Sequence, residues 1–392
     1  MADQQTRVAL YANVGPELAH YDVDIDAATL TRRGSVTLPA NVQYAWPHAS
    51  RAFLYVATSD SASGMGAAGN THHISAFRID PATGALSPHG APIALPARPI
   101  HMATDIPSRN ILVAFNNPGA IRIYRINPDG TPGDQVAQSP AVNPGIFPHQ
   151  VLASLDNRLI TLVARGHDAE AAKPEEPGAL MVFRNNDGAL ENQAVIAPKG
   201  GYGFGPRHLD FHPTQPWVYV SLERQNAVDM FVRNGDALEA TPRFHETTLA
   251  GPENPTIRQV VGTVHVHPNG RFVYVANRAA DTVDFNGQKV FAGGENSIAV
   301  FAIDPATGKP TIVQHADTRG IHPRTFHIDP SGRLMVVAHI MGLNIQVGDK
   351  VERMPMRLSL FRIGDDGKLD FVRAYDVESN GKTMWWMGMV GL

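Results

Sequence analysis

The chain has 392 residues, 43% hydrophobic and 18% charged, a composition typical of a globular protein. Its net charge is −4 and its basic residues are scattered, which argues against a nucleic acid or a membrane surface as partner. The absence of cysteine excludes disulfides, thiolate metal sites and cysteine nucleophiles.

A short run rich in β-branched and aromatic residues recurs about every fifty-five residues along the chain. Its six full copies lie at 53–59, 111–117, 159–165, 217–223, 272–278 and 334–340, after an incomplete copy at 8–14. Another alternating run precedes each full copy, and turn sequences such as HPTQP, HPNGR and DPSGR join the two. A third run follows each copy, the first being ISAFRID at 74–80 and the last LSLFRIG at 358–364. The repeating unit is therefore three or four antiparallel strands.

Repetition of this unit in an all-β pattern predicts a propeller. Complete first strands lie near residues 43, 100, 149, 207, 262 and 324. The run TMWWMGMV (383–390) resembles a seventh first strand with nothing after it, and 8–24 resembles a second and third strand with nothing before them. Their pairing completes a blade and removes a free sheet edge. We predict one seven-bladed β-propeller domain over residues 1–392, closed by N- and C-terminal strands in one blade.

Charged and imidazole side chains recur where a propeller opens its channel. The first strand of each blade lines the channel and the second runs antiparallel beside it, so the start of one and the end of the other meet at the channel mouth. Arg207 and Glu223 hold these two positions in one blade. In the other copies they are His149 with Arg165, Gly262 with Arg278, Arg324 with Ile340 and the adjacent His339, and Ile100–His101 with Asn116. The alternative for each side chain taken singly is a solvated strand end.

Other conspicuous residues allow structural explanations. His212 and His267 are assigned to turns, and His208 to the interior of its blade. Trp385 and Trp386 either pack the closing strand or contact a ligand. Four long connections leave from the face that carries the mouth: 60–73, 166–179, 279–296 and 341–357. They either form the wall of a pocket or pair protomers, so a homo-oligomer is one of the two alternatives.

Several segments carry a family resemblance. GPRHLDFHPTQPWVYVSLERQNAVDMF resembles the signature of bacterial 6-phosphogluconolactonases of the seven-bladed propeller type, whose superfamily includes carboxymuconate lactonising enzymes. VHVHPNGRFVYVANR, GIHPRTFHIDPSGRLMVVA and FPHQVLASLDNR are similar to further segments of that family. Carried over residue by residue, the resemblance implies catalytic roles for His149, Arg207, Glu223 and Arg278. Candidates for substrate binding are His101, Arg165, Arg324 and His339, although the chain departs from the family pattern at Arg165, Leu222 and His339–Ile340.

The resemblance implies a lactonase that opens a sugar or sugar-acid lactone. Glu223 or His149 would be the base that activates water, and Arg207 and Arg278 would hold the anion or the developing oxyanion. Neighbouring arginines should keep Glu223 ionised. No metal or other cofactor is expected, because the histidines lack ligand spacing. The alternatives are a cycloisomerase of a muconate-type polycarboxylate, which would use the same arginines as carboxylate clamps, and a non-enzymatic scaffold.

The expected partner is a small anionic lactone, with no nucleic acid and no membrane. The N-terminal residues lack the pattern of a secretory signal, and no apolar run approaches the ~20 residues of a membrane helix, so we expect a cytoplasmic protein. Which lactone is opened, and whether a phosphate or a carboxylate is recognised, does not follow from the sequence.

Overall fold

The structure is a computed structural model that describes residues 7–61 and 67–392. These residues form 34 strands and a short 3-10 helix at Pro198–Gly201. The strands make seven antiparallel sheets of four or five strands and two separate two-stranded hairpins. The predicted all-β, seven-bladed architecture is confirmed. Of the connection predicted at 60–73, residues 62–66 lie outside the described part of the chain.

The strands are numbered along the chain. Blades 1 and 2 contain β1 Val8–Val14, β2 Glu17–Asp24 and β3 Thr29–Thr37, then β4 Asn41–Pro47, β5 Phe53–Ser59, β6 His72–Ile79, β7 Leu86–Pro88 and β8 Ile93–Ala94. Blades 3 and 4 contain β9 Pro99–Thr104, β10 Asn110–Asn116, β11 Gly119–Ile126 and β12 Pro132–Gln135, then β13 Pro148–Ala153, β14 Leu159–Ala164, β15 Ala179–Asn186 and β16 Ala189–Ile196.

Blade 5 contains β17 Pro206–Phe211, β18 Trp217–Leu222, β19 Ala227–Asn234, β20 Ala237–Leu238 and β21 Phe244–Thr247. Blade 6 contains β22 Val260–Val266, β23 Phe272–Arg278, the hairpin β24 Thr282–Phe285 and β25 Gln288–Phe291, β26 Ser297–Ile303 and β27 Pro310–Asp317. Blade 7 contains β28 Pro323–Ile328, β29 Leu334–His339, the hairpin β30 Leu343–Val347 and β31 Lys350–Met354, β32 Arg357–Ile363 and β33 Leu369–Asp376. The last strand, β34 Met387–Gly391, belongs to blade 1.

The ring closes as predicted. The sheet order of blade 1 is β3-β2-β1-β34, with Leu10 opposite Met389. The side chain of Asn13 reinforces this pairing, because its Oδ1 accepts the backbone N–H groups of Trp385 at 3.0 Å and Trp386 at 2.9 Å. Pairing with β34 removes the free edge that β1 would otherwise present to a foreign strand.

Packing between neighbouring blades holds the ring together. Seven apolar clusters fill the interfaces, each built from two adjacent sheets, such as the cluster of Leu10 with Val336 between blades 1 and 7. A hydrogen bond between neighbouring blades recurs four times, in which a tyrosine hydroxyl donates to a glycine carbonyl in a turn of the next blade. The pairs are Tyr11 to Gly84, Tyr55 to Gly130, Tyr219 to Gly308 and Tyr274 to Gly367, at 2.6–3.0 Å. The sheets are covered on both faces, so a second strand such as β14 is buried along its whole length.

The turn histidines behave as predicted. His212 accepts the N–H of Gln215 at 2.9 Å, and its Nε2 lies 2.8 Å from the carbonyl oxygen of Gly270 in the next blade. His267 makes the equivalent contact with Gly332 at 2.8 Å. These rings close their own turns and join neighbouring blades.

Six inner strands carry one extra residue near their start, where the register with the second strand shifts. The extra residue is Gln43 in β4, Ile100 in β9, His149 in β13, Arg207 in β17, Gly262 or Thr263 in β22 and Arg324 in β28. A β-bulge re-aims a side chain at a strand end and is over-represented beside functional sites. The bulges thus bring polar side chains from several blades to the channel mouth.

Candidate functional site

Glu223 is the centre of a buried charge cluster at the channel mouth. It follows β18 and is 7% exposed, and its N–H donates to the carbonyl of Gly205 at 2.8 Å. Its Oε2 accepts from Nε of Arg165 and its Oε1 from Nη2 of Arg278, while Nε of Arg207 lies 3.4 Å from Oε1. One carboxylate therefore holds guanidinium groups from blades 4, 5 and 6.

The electrostatics of this cluster fix its protonation state. Burial alone would raise the pKa of Glu223, but Arg278, Arg165 and Arg207 outweigh it and lower this pKa to about 2. Burial, followed by repulsion from Arg278, lowers the pKa of Arg207 to about 9. At neutral pH the carboxylate is therefore ionised and Arg207 is protonated. Three guanidinium groups against one carboxylate leave an excess of positive charge suited to an anion.

Three segments present site residues in the same way, each as a positive-φ residue, a proline and a bulged residue. They are 147–149, 205–207 and 322–324, with φ of 53° at Phe147, 50° at Gly205 and 57° at His322. A residue before proline is normally extended, and positive φ is costly for Phe and His. Such strain persists where surrounding structure over-determines the backbone, as it does at binding sites.

The connection 166–179 forms one wall of the site, one of the two roles predicted for it. Its Asp168 accepts from Nη2 of Arg165 at 2.7 Å and lies 2.6 Å from Nε of Arg224. Glu175 pairs with the other end of Arg224. Arg224 runs across Gly205, where a Cβ would lie 2.3 Å from its Cγ, so glycine leaves room for this side chain and adopts the positive φ without strain.

A group of imidazoles lies next to the arginines. The ring centroid of His208 is 5.2 Å from that of His149 and 5.8 Å from that of His101. Burial and then the charge of Arg207 lower the pKa of all three well below 6.5, so they are neutral at pH 7. His208 was predicted to point into its blade; instead it joins rings from two other inner strands.

His322 belongs to the site although the sequence analysis did not single it out. The ring Nε2 of His322 accepts from Nη1 of Arg278 at 3.0 Å. The backbone N–H of His322 donates to Oδ1 of Asn296 at 2.9 Å. Burial and the charge of Arg278 lower its pKa well below 6.5, which keeps this nitrogen an acceptor. The sequence signal was available: His-Pro-Arg at 322–324 parallels Phe-Pro-His at 147–149.

The other half of the mouth carries two more arginines around an indole. The guanidinium of Arg324 lies 3.9 Å from the ring centroid of Trp385, and its Nε donates to the Trp385 carbonyl at 3.2 Å. The guanidinium of Arg98 lies 5.5 Å from the same ring, and its Nε donates to Oε1 of Gln43 at 2.8 Å. The two tryptophans follow different explanations. Trp386 packs in the apolar core beside the closing strand, whereas Trp385 contacts the arginines at the mouth. All seven blades contribute to this rim.

The chain matches the model of the family described as Lactonase, 7-bladed beta-propeller, over residues 7–349. It belongs to this family. It is similar to the 6-phosphogluconolactonase of Bacillus subtilis (strain 168), with 26% identity over 335 residues, covering 85% of this chain and 87% of the relative. The 6-phosphogluconolactonase of Erwinia tasmaniensis is 27% identical over 330 residues, covering 82% and 86%.

Solved structures show the same fold. A protein from Lactobacillus plantarum has a TM-score of 0.73 at 22% identity, covering 98% of this chain and 100% of its own. The periplasmic gluconolactonase of Pseudomonas aeruginosa has a TM-score of 0.70 at 20% identity, covering 99% of both chains. At these identities the likeness concerns the propeller fold.

Within this member of the lactonase family, His339 is the predicted site residue that lies apart from the others. It opposes Pro323 as Leu222 opposes Pro206, so it takes the place of a core leucine, and Ile340 takes that of Glu223. Its Nδ1 donates to the carbonyl of Arg357 at 3.0 Å. The other seven candidates lie at the mouth: His101, His149, Arg165, Arg207, Glu223, Arg278 and Arg324.

Within residues 7–61 and 67–392, no helix has the length and hydropathy of a membrane span. In the same part of the chain, no three His, Asp or Glu side chains are arranged to hold a metal ion. The hairpins β24–β25 and β30–β31, from the connections 279–296 and 341–357, pack against each other. Pairing of protomers through them stays a prediction.

Proposed function

We propose that this protein hydrolyses a sugar lactone at the channel mouth, with Arg207 and Arg278 holding the lactone carbonyl. The observation that carries the proposal is a set of buried donors without a hydrogen-bond acceptor. Arg207 is 1% exposed, yet its Nε and Nη1 have no hydrogen-bond partner among the described residues; the same holds for Nε of Arg278. Buried donors without acceptors are costly unless a ligand oxygen receives them. Fixed cationic donors of this kind stabilise the oxyanion of acyl transfer.

His149 is the better general base of the two candidates. Glu223 has a pKa of about 2 and both its oxygens are engaged by arginines, so it is a weak proton acceptor at neutral pH. His149 is neutral, and its Nδ1 has no hydrogen-bond partner among the described residues. The role of Glu223 in this proposal is to hold the guanidinium groups in position.

Neutralisation of the Arg207 charge by the oxyanion would make His149 a stronger base during the reaction. After burial, Arg207 is the largest cause that lowers the pKa of His149. An oxyanion on Arg207 would offset this charge and raise the pKa of the imidazole as it accepts a proton.

The chemical steps need only these groups and water. Water attacks the lactone carbonyl carbon while His149 accepts its proton, and the carbonyl oxygen becomes an oxyanion on Arg207 and Arg278. The oxyanion then re-forms the carbonyl, the bond from this carbon to the ring oxygen breaks, and His149 returns the proton to that oxygen. The product is an open-chain hydroxy acid. The names of the Bacillus and Erwinia relatives support a sugar-acid lactone as substrate, and no step calls for a metal or another cofactor.

The test is release of acid from glucono-δ-lactone and its 6-phosphate at pH 6.5, where spontaneous hydrolysis is slow. His149→Asn should lower kcat by about 10²–10⁴-fold and Arg207→Met by about 10²–10³-fold. His245→Asn, on the outer strand β21, is the matched control and should match the wild type.

Two outcomes contradict the proposal. A wild-type rate no faster than spontaneous hydrolysis would rule out lactone hydrolysis as the function. Conversion of carboxymuconate, followed by ultraviolet absorbance, would then favour the cycloisomerase. Wild-type activity in His149→Asn removes His149 as base.

Domain and location belong to the same proposal: one domain spanning residues 1–392, in the cytoplasm. Limited proteolysis should give no stable half-molecule, because the closing blade joins both ends of the chain. Cell fractionation checks the location.

A further inference from the structure

Arg98, Arg324 and Trp385 form a second positively charged group at the mouth, across from Glu223. They come from the segment before β9, from the bulge of β28 and from the segment before β34. Both guanidinium groups lie over one indole ring, at 5.5 and 3.9 Å from its centroid. Gln43 holds Nε of Arg98, and the Trp385 carbonyl holds Nε of Arg324. Their orientation is thus fixed by protein contacts.

The charge balance differs between the two halves of the mouth. Glu223 and Asp168 offset Arg165 and Arg278. Within the described residues, Arg98 and Arg324 contact an amide oxygen, a carbonyl oxygen and an indole, and form no ion pair with an acidic side chain. Among the described residues, the positive charge of this half is therefore not paired directly with a carboxylate.

Arg98 is the most informative member of the group. It is 6% exposed, and its Nη1 has no hydrogen-bond partner among the described residues. Burial lowers its pKa to about 10, so it is charged at neutral pH. A buried cation without a paired carboxylate is unfavourable, and an anionic ligand would compensate it.

We propose that Arg98, Arg324 and Trp385 bind a second acidic group of the substrate, remote from the lactone carbonyl. The proposal rests on the lactone hydrolysis proposed above and assigns to these three residues the recognition of a phosphate or carboxylate at the far end of the lactone. Planar guanidinium forks match the oxygens of both groups. The indole ring keeps the two forks in place through cation–π contact. Binding this group across the channel would place the lactone carbonyl on Arg207 and Arg278.

Arg324 links the two halves electrostatically. After burial, the charges that lower its pKa are those of Arg207, Arg278 and Arg98, in that order. It therefore lies within the field of both arginine groups. A dianionic substrate end would relieve this mutual repulsion, whereas a neutral lactone would leave it in place.

The experiment compares kcat/KM for glucono-δ-lactone, its 6-phosphate and glucarolactone, which carries a carboxylate instead. The variants are Arg98→Met, Arg98→Lys and Trp385→Phe. Arg78→Met is the matched control, because Arg78 also lies over an aromatic ring, 5.1 Å from the centroid of Phe53, but is exposed on β6.

Arg98→Met should lower the preference for an acidic over the neutral lactone by about 10–100-fold, the size of a lost charge-assisted contact. Arg98→Lys should fall between it and the wild type, because it keeps the charge and loses the fork. Arg78→Met should keep the wild-type preference. The subsite binds the acidic group, phosphate or carboxylate, of the lactone for which the preference over the neutral lactone falls further. Equal loss on all three lactones in every Arg98 and Trp385 variant would overturn the proposal.

A binding measurement separates this proposal from the one on hydrolysis. If the wild type hydrolyses no lactone, calorimetric titration with 6-phosphogluconate and with glucarate still tests the subsite. Binding of at least one acid should weaken about tenfold or more in Arg98→Met and stay constant in Arg78→Met. Equal affinity in wild type and Arg98→Met for both acids would refute the subsite, and so would the absence of binding to the wild type.

Discussion

Replacement of His339 by Asn should make the protein less sensitive to acid. His339 is 0% exposed, and a Cβ built on Gly320 would lie 2.5 Å from its ring, so the imidazole fills its space. Burial lowers its pKa from 6.5 to about 4. Because the folded pKa is below the unfolded one, the unfolded chain binds this proton first. Wild-type stability therefore falls as the pH drops below 6.5, down to the folded pKa.

The size of the effect follows from the two pKa values. With 6.5 unfolded and about 4 folded, this group lowers the free energy of unfolding by about 2 kcal/mol between pH 7 and pH 5, and by about 3 kcal/mol below pH 4. An asparagine does not titrate, so the variant escapes this loss. Its amide can still donate to the Arg357 carbonyl, and any packing defect contributes equally at both pH values.

The assay is urea unfolding of wild type and His339→Asn at pH 7 and pH 5. The difference between the two proteins should shift by about 2 kcal/mol in favour of the variant on acidification. His245→Asn is a control of opposite sign, since a hydrogen bond with Asp229 at 2.7 Å raises the pKa of His245. That variant should lose more stability at pH 5 than at pH 7. A parallel pH response of wild type and His339→Asn would refute burial of a neutral imidazole here.

Three further predictions concern the mouth and the ring. The value of kcat/KM for lactone hydrolysis should stay level from pH 7.5 to pH 6, because the pKa of His149 lies well below 6.5 and that of Glu223 at about 2; a midpoint near 6.5 would contradict this. Glu223→Gln should lower the free energy of urea unfolding by about 3–5 kcal/mol, since three arginines lose their counter-charge, and a loss under 1 kcal/mol would refute the central role of this carboxylate. Asn13→Ala should cost about 1–3 kcal/mol in the same assay, because two buried N–H groups lose their acceptor.

The sequence could predict the blades because their signals are local. Apolar runs, tight turns and a fixed period lie within each repeat, and a lone first strand at the C-terminal end matches the second and third strands left over at the N-terminal end. The proximity of Arg207 and Glu223 follows from the hairpin between them. These inferences need only the antiparallel pairing of neighbouring strands.

Side-chain direction at the strand ends could not be predicted, because it depends on one residue of register. Strict alternation assigned His208 to the interior of the blade, opposite to Arg207. The bulge at Arg207 adds a residue there, and His208 joins the channel rings instead. His339 was misplaced for a related reason: it is the equivalent of Leu222, one residue short of the position that faces the mouth.

Residues outside the repeated strands were the hardest to predict. Arg98 and His322 lie just before inner strands, where the strand pattern has not begun, and their positions depend on contacts with other blades. Their shared signal is a proline directly after each, the device that also presents His149 and Arg207. A proline that opens an inner strand therefore marks a rim position in this fold more reliably than alternation does.

Closure of the ring and formation of the proposed acid subsite are one event. Asn13 in β1 accepts the N–H groups of Trp385 and Trp386, so Trp385 takes its place only when the terminal strands pair. Arg324 and Arg98 take their orientation partly from that indole. An open ring would leave two arginines without their aromatic contact and the mouth incomplete. Weak closure should therefore lower the preference for an acidic lactone before it lowers hydrolysis itself, because His149, Arg207 and Glu223 lie in blades 4 and 5, away from the closing blade.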